Sequence, residues 1–191
     1  DCQCGRFMEI VNSVFMEYQK SDKGFVKLPQ KNVDHGAGVE RLLAAVENKQ
    51  DIFQTSLYGS IVQTIELLTN KNYKGNENAM RIITDHFIAS TFIIENNIVS
   101  SNKEQGYILR RLIRRGLDHF YTLQGSNLIP ILESIVMQYQ QTDPDLKNKY
   151  EKIKNTILDE EQKYRRSQTQ AKIFLQKKYP SLGDGLKGVT K

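Results

Sequence analysis

The sequence predicts a mainly α protein in which a small antiparallel β segment precedes an α-helical bundle. In residues 1–50, apolar and polar side chains alternate between polar turns, which is typical of short strands. From Asp51 onward, apolar residues return every three or four positions, the spacing of a buried helix face. No internal repeat or low-complexity stretch is present, so we expect a bundle rather than a solenoid.

The composition is that of an ordinary globular protein. With 191 residues, 39% of them hydrophobic, the chain can bury the core of one good-sized domain or two small ones. It lacks a run of about 18 apolar residues and a basic-then-apolar leader, so we expect a cytoplasmic setting and no membrane partner. Its two cysteines, Cys2 and Cys4, are too close for an easy disulfide and supply at most half of a zinc site. No metal site is therefore predicted.

The charges are unevenly distributed between the two halves of the chain. Residues 1–100 contain 10 Lys and Arg against 12 Asp and Glu, whereas residues 101–191 contain 17 against 10. The second half therefore has a net charge of +7, and a polyanion is its expected partner.

The first predicted strand covers residues 6–19. Five residues of alternating position share its more apolar face: Met8, Ile10, Asn12, Val14 and Met16. Asn12 is the polar exception, and it needs either a neighbouring backbone group or a bound substrate as its partner. A polar turn at 21–24 and a short returning strand at 25–28 follow, and Pro29 is expected to end that strand.

A second extended segment, residues 33–40, carries two closely spaced glycines. Its even-numbered residues share one face: Asp34, Gly36, Gly38 and Glu40. Two glycines on one face indicate that a ligand or another chain approaches the backbone there. Arg41 then opens a helix, where a guanidinium can bind phosphate oxygens. Asp34 either binds a ligand or has a structural role, such as capping a turn or pairing with Lys31.

The remainder of the chain is predicted to be helical. Beyond the helix that Arg41 opens, five helices are predicted, at residues 51–68, 77–96, 103–123, 127–141 and 144–178. Asp51 is expected to cap the first of these five, and Ser100, Ser101 and Asn102 offer an N-cap for the third. His86 has no second metal ligand four residues away, which favours a packing role.

Four arginines form two adjacent rows on the third predicted helix: Arg110 and Arg114 in one, Arg111 and Arg115 in the other. The rows repel each other unless an anion lies across them. That anion is either carboxylate, from Asp118 and the acidic residues at 159–161, or RNA phosphate. The positive charge of the whole second half favours RNA.

Five blocks of the sequence resemble the alanyl-tRNA synthetase family of class II aminoacyl-tRNA synthetases. The most specific is VDHGAGVER at 33–41, which is similar to class II motif 3 in the form typical of this family. One other block precedes it and three come after it, all in the family's order. They are EIVNSVFMEY at 9–18, MRIITDHFIASTF at 80–92, SNKEQGYILRRLIRR at 101–115 and DEEQKY at 159–164. Together they cover most of the chain and identify it as a family member.

The resemblance implies an enzyme that activates alanine with ATP and Mg²⁺ and transfers it to the acceptor stem of alanine tRNA. Residues 1–60 are then the C-terminal part of the class II aminoacylation domain, and the β segment is a remnant of that domain. Residues 61–191 are then the helical tRNA-recognition domain.

The resemblance also implies roles for single residues. Those of the alanine pocket are Asn12, Val14, Asp34 and Gly36, with Asp34 on the α-ammonium group. Gly38 leaves room for adenine, and Arg41 is the catalytic residue that binds the γ-phosphate of ATP. The tRNA-binding residues are Asn102, which reads a G·U pair in the acceptor stem, and Arg110, Arg111, Arg114 and Arg115. Val11 and Ala37 depart from the usual Trp and Met, but both lie on the opposite face.

Several parts of the family are missing from these 191 residues: the earlier class II motifs and the editing domain with its zinc ligands. We therefore expect a piece of a longer protein that is inactive by itself and has no DNA partner. Two alternatives stay open. One is a non-catalytic basic helical RNA-binding module of synthetase ancestry, and the other is a helical scaffold with a fortuitous arginine face.

Overall fold

The computed structural model describes residues 7–179, and its mainly α architecture confirms the predicted fold class. The chain divides into two compact units, Asp1–Leu57 and Tyr58–Lys191. The predicted domain boundary at residues 60 and 61 lies near this division and stays a prediction. Cys2 and Cys4 lie outside the described residues.

A β hairpin dominates the first unit. Strands β1 (Val11–Ser21) and β2 (Gly24–Ala37) pair antiparallel across a two-residue loop. Gly24 closes this loop with a φ of +104°, a conformation that glycine adopts without a steric cost. The Ser21 hydroxyl donates to the Gly24 carbonyl at 2.9 Å. β2 is longer than predicted, because it continues past Pro29 instead of ending there.

An irregularity in the pairing accommodates Pro29. The register runs evenly from Val11 opposite Ala37 to Met16 opposite Asn32, and resumes with Tyr18 opposite Lys27. Residues 28–31 of β2 therefore bulge opposite the single residue between Met16 and Tyr18. Proline has no N–H for the ladder, so a bulge is one of the few places where a strand tolerates it.

The hairpin leads into a short helix, α1 (Val39–Val46), whose N-cap is Gly38. Glu40 therefore belongs to the helix, and the prediction that it shares a strand face with Asp34 is wrong. Asp51 does cap a helix, since its Oδ1 accepts from Phe53 N at 3.0 Å. That helix is only a 3-10 turn, Ile52–Gln54, and not the start of the long helix predicted from residue 51.

The second unit consists of helices. Their bounds are α2 (Gly59–Thr69), α3 (Glu77–Glu95), α4 (Glu104–Thr122), α5 (Ile129–Tyr139), α6 (Asp145–Asn148) and α7 (Tyr150–Lys178). The single helix predicted at 144–178 is divided into α6 and α7 at Lys149. None of the helices within residues 7–179 has the length and apolarity needed to cross a bilayer.

The core of this unit lies mainly between α3 and α4, with α7 packed against both and α2 packed against α5. Its fully buried side chains include Ile61, Ile65, Met80, Ile83, Phe87, Leu109, Ile113, Leu117, Phe120, Ile131, Ile135, Ile153 and Ile157. A Cβ on Gly116 of α4 would lie 3.2 Å from the Phe87 ring, so glycine permits the close approach of α3 and α4. His86 is buried and hydrogen-bonds Asp85 at 2.9 Å.

Candidate functional site

The hairpin brings the four predicted alanine-pocket residues together. Asn12 pairs with Gly36, and Val14 pairs with Asp34. Directly opposite residues of antiparallel strands point to the same side of the sheet, and residues two apart on a strand share a face. All four therefore lie on one face. The opposite face carries Ser13 and His35, whose side chains hydrogen-bond at 2.8 Å.

This face is open within the first unit. A Cβ built on Gly36 meets no atom within 4 Å. The Asp34 side chain is exposed, and within residues 7–179 its carboxylate makes no hydrogen bond or ion pair. Lys31, the structural partner that the sequence offered, lies 3.2 Å from Glu17 instead. Asp34 thus lies two residues from the open position of Gly36, with its carboxylate exposed.

Arg41 lies where β2 passes into α1. Its Nη1 donates to the Glu9 carbonyl at 3.0 Å, and Gly38 N donates to the Ile10 carbonyl at 2.9 Å. A Cβ on Gly38 would lie 3.4 Å from Arg41 Cδ, so the arginine stem covers the glycine backbone. A guanidinium has five N–H donors, and one suffices for the Glu9 bond. The remaining donors can bind phosphate oxygens.

A second candidate site lies in the helical unit, where a cavity of about 400 Å³ opens beside the start of α4. It brings Asn102 together with two of the four predicted arginines. Its lining consists of Ser100, Ser101, Asn102, Arg110, Arg114, Glu160 and Lys163.

Glu160 of α7 contacts one of the two arginine rows. This carboxylate is 3% exposed and accepts from Arg114 Nε at 2.7 Å and from the Ser100 hydroxyl at 2.7 Å. Arg110 Nε lies 3.7 Å from the same carboxylate. The Arg110 and Arg114 row therefore has a protein anion across it, as the salt-bridge alternative proposed. The sequence reasoning did not select Glu160 as a site residue, although DEEQKY contained it.

The other row faces solvent. Arg111 is exposed and lies 5.8 Å from the centroid of the Tyr107 ring. Arg115 is exposed and makes no salt bridge or hydrogen bond with residues 7–179. Burial and the positive charge of Arg115 lower the pKa of His119. This row is free to meet an external anion.

Tyr164 holds Arg114 from its other side. The guanidinium lies 5.1 Å from the centroid of the Tyr164 ring, a cation–π contact. The Tyr164 hydroxyl donates to Asp118 Oδ1 at 2.5 Å. Burial, together with this hydrogen bond, raises the pKa of Tyr164 to about 12. The sequence had offered Asp118 as a salt-bridge partner for the arginines. Within residues 7–179 it binds Tyr164 instead and makes no ion pair with an arginine.

A glycine fixes the loop that carries Asn102. A Cβ on Gly106 would lie 2.3 Å from Ser101 Oγ and 2.5 Å from the Val99 carbonyl. Ser101 N donates to the Gly106 carbonyl at 3.1 Å, and Ser101 Oγ accepts from Lys103 N at 3.2 Å. The predicted N-cap at residues 100–102 is wrong, because the N-cap is Lys103 and its side chain makes no capping bond.

We expect Gly106→Ala to lower the free energy of unfolding by about 1 to 3 kcal/mol, the usual cost of forcing a methyl group into a packed site. Thermal unfolding followed by circular dichroism measures the change. Gly59→Ala is the matched control, because a Cβ on that helical glycine meets no atom within 4 Å. An unchanged midpoint for Gly106→Ala would contradict the close approach of the loop.

Metal ligands do not gather in either site. Within residues 7–179 no three His, Cys, Asp or Glu side chains come together in a way that could hold a metal ion.

Comparisons with known proteins identify the family of this chain. The family profile of the tRNA synthetases class II (A) matches residues 1–187. The alanine–tRNA ligase of Petrotoga mobilis is 38% identical over 169 residues, which is 85% of this chain and 19% of that protein. The alanine–tRNA ligase of Thermotoga maritima is 36% identical over 177 residues, or 89% of this chain and 20% of that protein.

The chain thus spans about a fifth of the length of these curated relatives. A third alanine–tRNA ligase, from Borrelia garinii subsp. bavariensis, is 36% identical over 85% of this chain. These matches confirm the resemblance seen in the five sequence blocks. The chain belongs to the class II (A) tRNA synthetase family, and its relatives within that family are alanine–tRNA ligases.

Proposed function

We propose that this chain supplies the motif 3 part and the acceptor-stem recognition part of an alanine–tRNA ligase that works in the cytoplasm. The main support for this proposal is the strand register. It places four residues on one open face of the hairpin: Asn12, Val14, Asp34 and Gly36. The rest of the active site, and an editing domain with any zinc, belong in this proposal to other segments of a longer protein.

In the first reaction, the alanine carboxylate attacks the α-phosphorus of ATP, alanyl-adenylate forms and pyrophosphate leaves. Asp34 binds the α-ammonium group, and Val14 contacts the methyl group. Asn12 supplies a hydrogen bond, and Gly36 lets the substrate lie against the backbone. These roles require three side chains and the bare backbone of Gly36 on the same face of the hairpin.

Arg41 and Gly38 serve the nucleotide. The Arg41 stem fills the space that a side chain at Gly38 would take, so the adenine role of Gly38 rests on the family resemblance alone. The free donors of Arg41 bind the γ-phosphate and stabilise the charge that moves onto pyrophosphate. Residues 7–179 offer no cluster of metal ligands, and Mg²⁺ commonly binds ATP-dependent enzymes through phosphates and few carboxylates. The ion would neutralise phosphate charge.

The helical unit serves the tRNA. Asn102 lines the cavity beside α4, where an amide can meet base edges and 2′-hydroxyls in the shallow groove of an RNA helix. Arg111 and Arg115 face solvent and contact backbone phosphates. Arg110 and Arg114 line the cavity itself and bind RNA beside Asn102.

Binding to acceptor-stem minihelices tests this proposal. We expect the 191-residue chain to prefer a minihelix with the G·U pair over one with G·C, and not to catalyse pyrophosphate exchange by itself. Equal binding of both minihelices would contradict the recognition role. Exchange by the isolated chain would contradict its assignment as part of the active site.

The alternative function is a non-catalytic RNA-binding module of synthetase ancestry. The register favours the ligase, because it brings Asp34 and Gly36 to the same face as Asn12, an arrangement that an RNA-binding module does not require. Alanine-dependent pyrophosphate exchange by the intact parent protein separates the two functions, since the module would show none.

We expect the double variant Arg111→Ala/Arg115→Ala to weaken binding of G·U and G·C minihelices equally. Each lost phosphate contact lowers the slope of log K against log salt by about 1, so the double variant should lose about 2. Fluorescence anisotropy at four salt concentrations measures the slope. Lys154→Ala is the control, because Lys154 pairs with Glu151 at 2.6 Å. An unchanged slope would remove this row from the RNA interface.

A further inference from the structure

The buried carboxylate of Glu160 connects three parts of the second candidate site. It lies on α7, yet it accepts hydrogen bonds from Ser100 in the loop before α4 and from Arg114 in the middle of α4. Arg110 Nε lies 3.7 Å away. These partners are 46 to 60 residues distant from Glu160 in the chain, so Glu160 connects α7 both to α4 and to the loop before it.

Stability alone is a poor explanation for this arrangement. Removing a carboxylate from water is costly, and a buried ion pair is often no more stable than well-packed apolar residues of similar volume. Buried ionic groups are retained in some proteins because they fix one geometry among several. Here the fixed geometry is that of the arginines and the loop that line the cavity.

Arg110 transmits this geometry to Asn102. Its Nη1 donates to Asn102 Oδ1. Because a guanidinium only donates hydrogen bonds, the amide oxygen of Asn102 must face Arg110, whichever way the amide was first placed. The amide nitrogen then keeps both N–H donors for a ligand. The shallow groove of an RNA helix offers acceptors to such donors, namely base edges and 2′-hydroxyls.

We propose that Glu160 is a positioning residue for acceptor-stem recognition, which holds Arg110 and the residue 100–102 loop so that Asn102 offers its amide donors to the RNA. This inference rests on the proposed tRNA-binding function. Glu160 acts only through its neighbours, because it is 3% exposed and its negative charge would repel phosphate. It therefore has no direct contact with RNA.

The test is Glu160→Gln in the 191-residue chain, with G·U and G·C minihelices as probes. Glutamine keeps the size and the hydrogen bond to Ser100 but loses the charge that holds Arg110. We expect the preference for G·U to fall by about fivefold or more, the lower range of what one specific base contact provides. The salt dependence should stay the same, since Glu160 contacts no phosphate.

Glu161→Gln is the matched control. Glu161 is the adjacent carboxylate, but it binds Tyr121 and Arg165, away from the cavity lining. We expect this variant to keep the G·U preference of the unaltered chain. An equal loss of preference in both variants would overturn the proposal, as would a folded Glu160→Gln variant with full preference.

A second readout does not depend on RNA. The side-chain amide signal of Asn102, identified by its loss in Asn102→Ala, should move toward the position of a free asparagine in Glu160→Gln but not in Glu161→Gln. Arg110→Lys keeps the positive charge and loses the forked donor, so it should cause the same movement even if Glu160→Gln does not fold. An Asn102 amide signal that does not move in Arg110→Lys would contradict the proposal that Glu160 positions Asn102 through Arg110.

A different result would contradict the proposed tRNA-binding function itself. That result is the absence of any G·U preference in the unaltered chain, whatever the amide signal shows.

Discussion

Replacing Asp34 by Ala in the intact synthetase is expected to raise the KM for alanine by about 10-fold to 150-fold and to leave the KM for ATP within about twofold. A hydrogen bond to a charged group contributes about 1.5 to 3 kcal/mol, and each 1.4 kcal/mol corresponds to a factor of ten. The loss falls on alanine because only the amino acid carries an α-ammonium group. Pyrophosphate exchange, titrated with each substrate in turn, measures both values.

The structure explains why the effect should be specific. Asp34 is exposed and unpaired within residues 7–179, so its removal breaks no described internal contact. Asp34→Asn keeps the shape without the charge and should lose most of the same affinity. His35→Ala, one residue away on the opposite face, should leave the KM for alanine unchanged despite the loss of its bond to Ser13. Equal effects of Asp34→Ala on alanine and ATP would contradict its role.

The composition of each strand face was predictable from the sequence, but the pairing of the two strands was not. Alternation alone puts Asp34 and Gly36 on one side of β2, and Asn12 and Val14 on one side of β1. Whether those sides coincide depends on the register, and an odd shift exchanges the faces. Near the turn, Ser21 pairs with Gly24 and Tyr18 with Lys27. Continued without interruption, that register would set Asn12 opposite Val33.

The bulge at residues 28–31 changes the register between the turn and the far end of the hairpin. It adds three residues to β2 relative to β1, so that Asn12 pairs with Gly36 and Val14 with Asp34. Pro29, which was predicted to end a strand, lies inside the bulge that brings the four proposed alanine-pocket residues to one face. Pro29 was visible in the sequence as an interruption of the strand. Which faces of β1 and β2 coincide, however, depends on how many residues the bulge contains, and the sequence does not give that number.

The arginine rows show a different limit. Spacing along α4 separates Arg110 and Arg114 from Arg111 and Arg115, but it does not say which row meets protein. The answer comes from α7, where the Arg114 and Glu160 contact spans 46 residues. The spacing of residues within one helix does not predict which distant helix packs against it. The structure therefore divides one predicted set of RNA-binding arginines into a cavity-lining pair and a solvent-facing pair.

Replacing Arg41 by Ala in the intact synthetase is expected to lower kcat for pyrophosphate exchange by about 100-fold to 1,000-fold. A preorganised donor to charge that develops in a transition state contributes about 2.7 to 4 kcal/mol. Arg41 fits that description because its Nη1 already binds the Glu9 carbonyl at 3.0 Å and its stem lies over Gly38. The guanidinium is thus held in place before ATP arrives.

Arg41→Lys separates charge from geometry. A lysine ammonium is a point charge that cannot bind the Glu9 carbonyl and a phosphate with a rigid fork, so lysine should restore only part of kcat. Lys49→Ala, an exposed cation just beyond α1, is the control for loss of positive charge and should leave kcat unchanged. Full activity in Arg41→Lys would show that charge alone is sufficient. Activity within about threefold in Arg41→Ala would show that this guanidinium does not take part in the reaction, because a donor to the transition state cannot be lost at so small a cost.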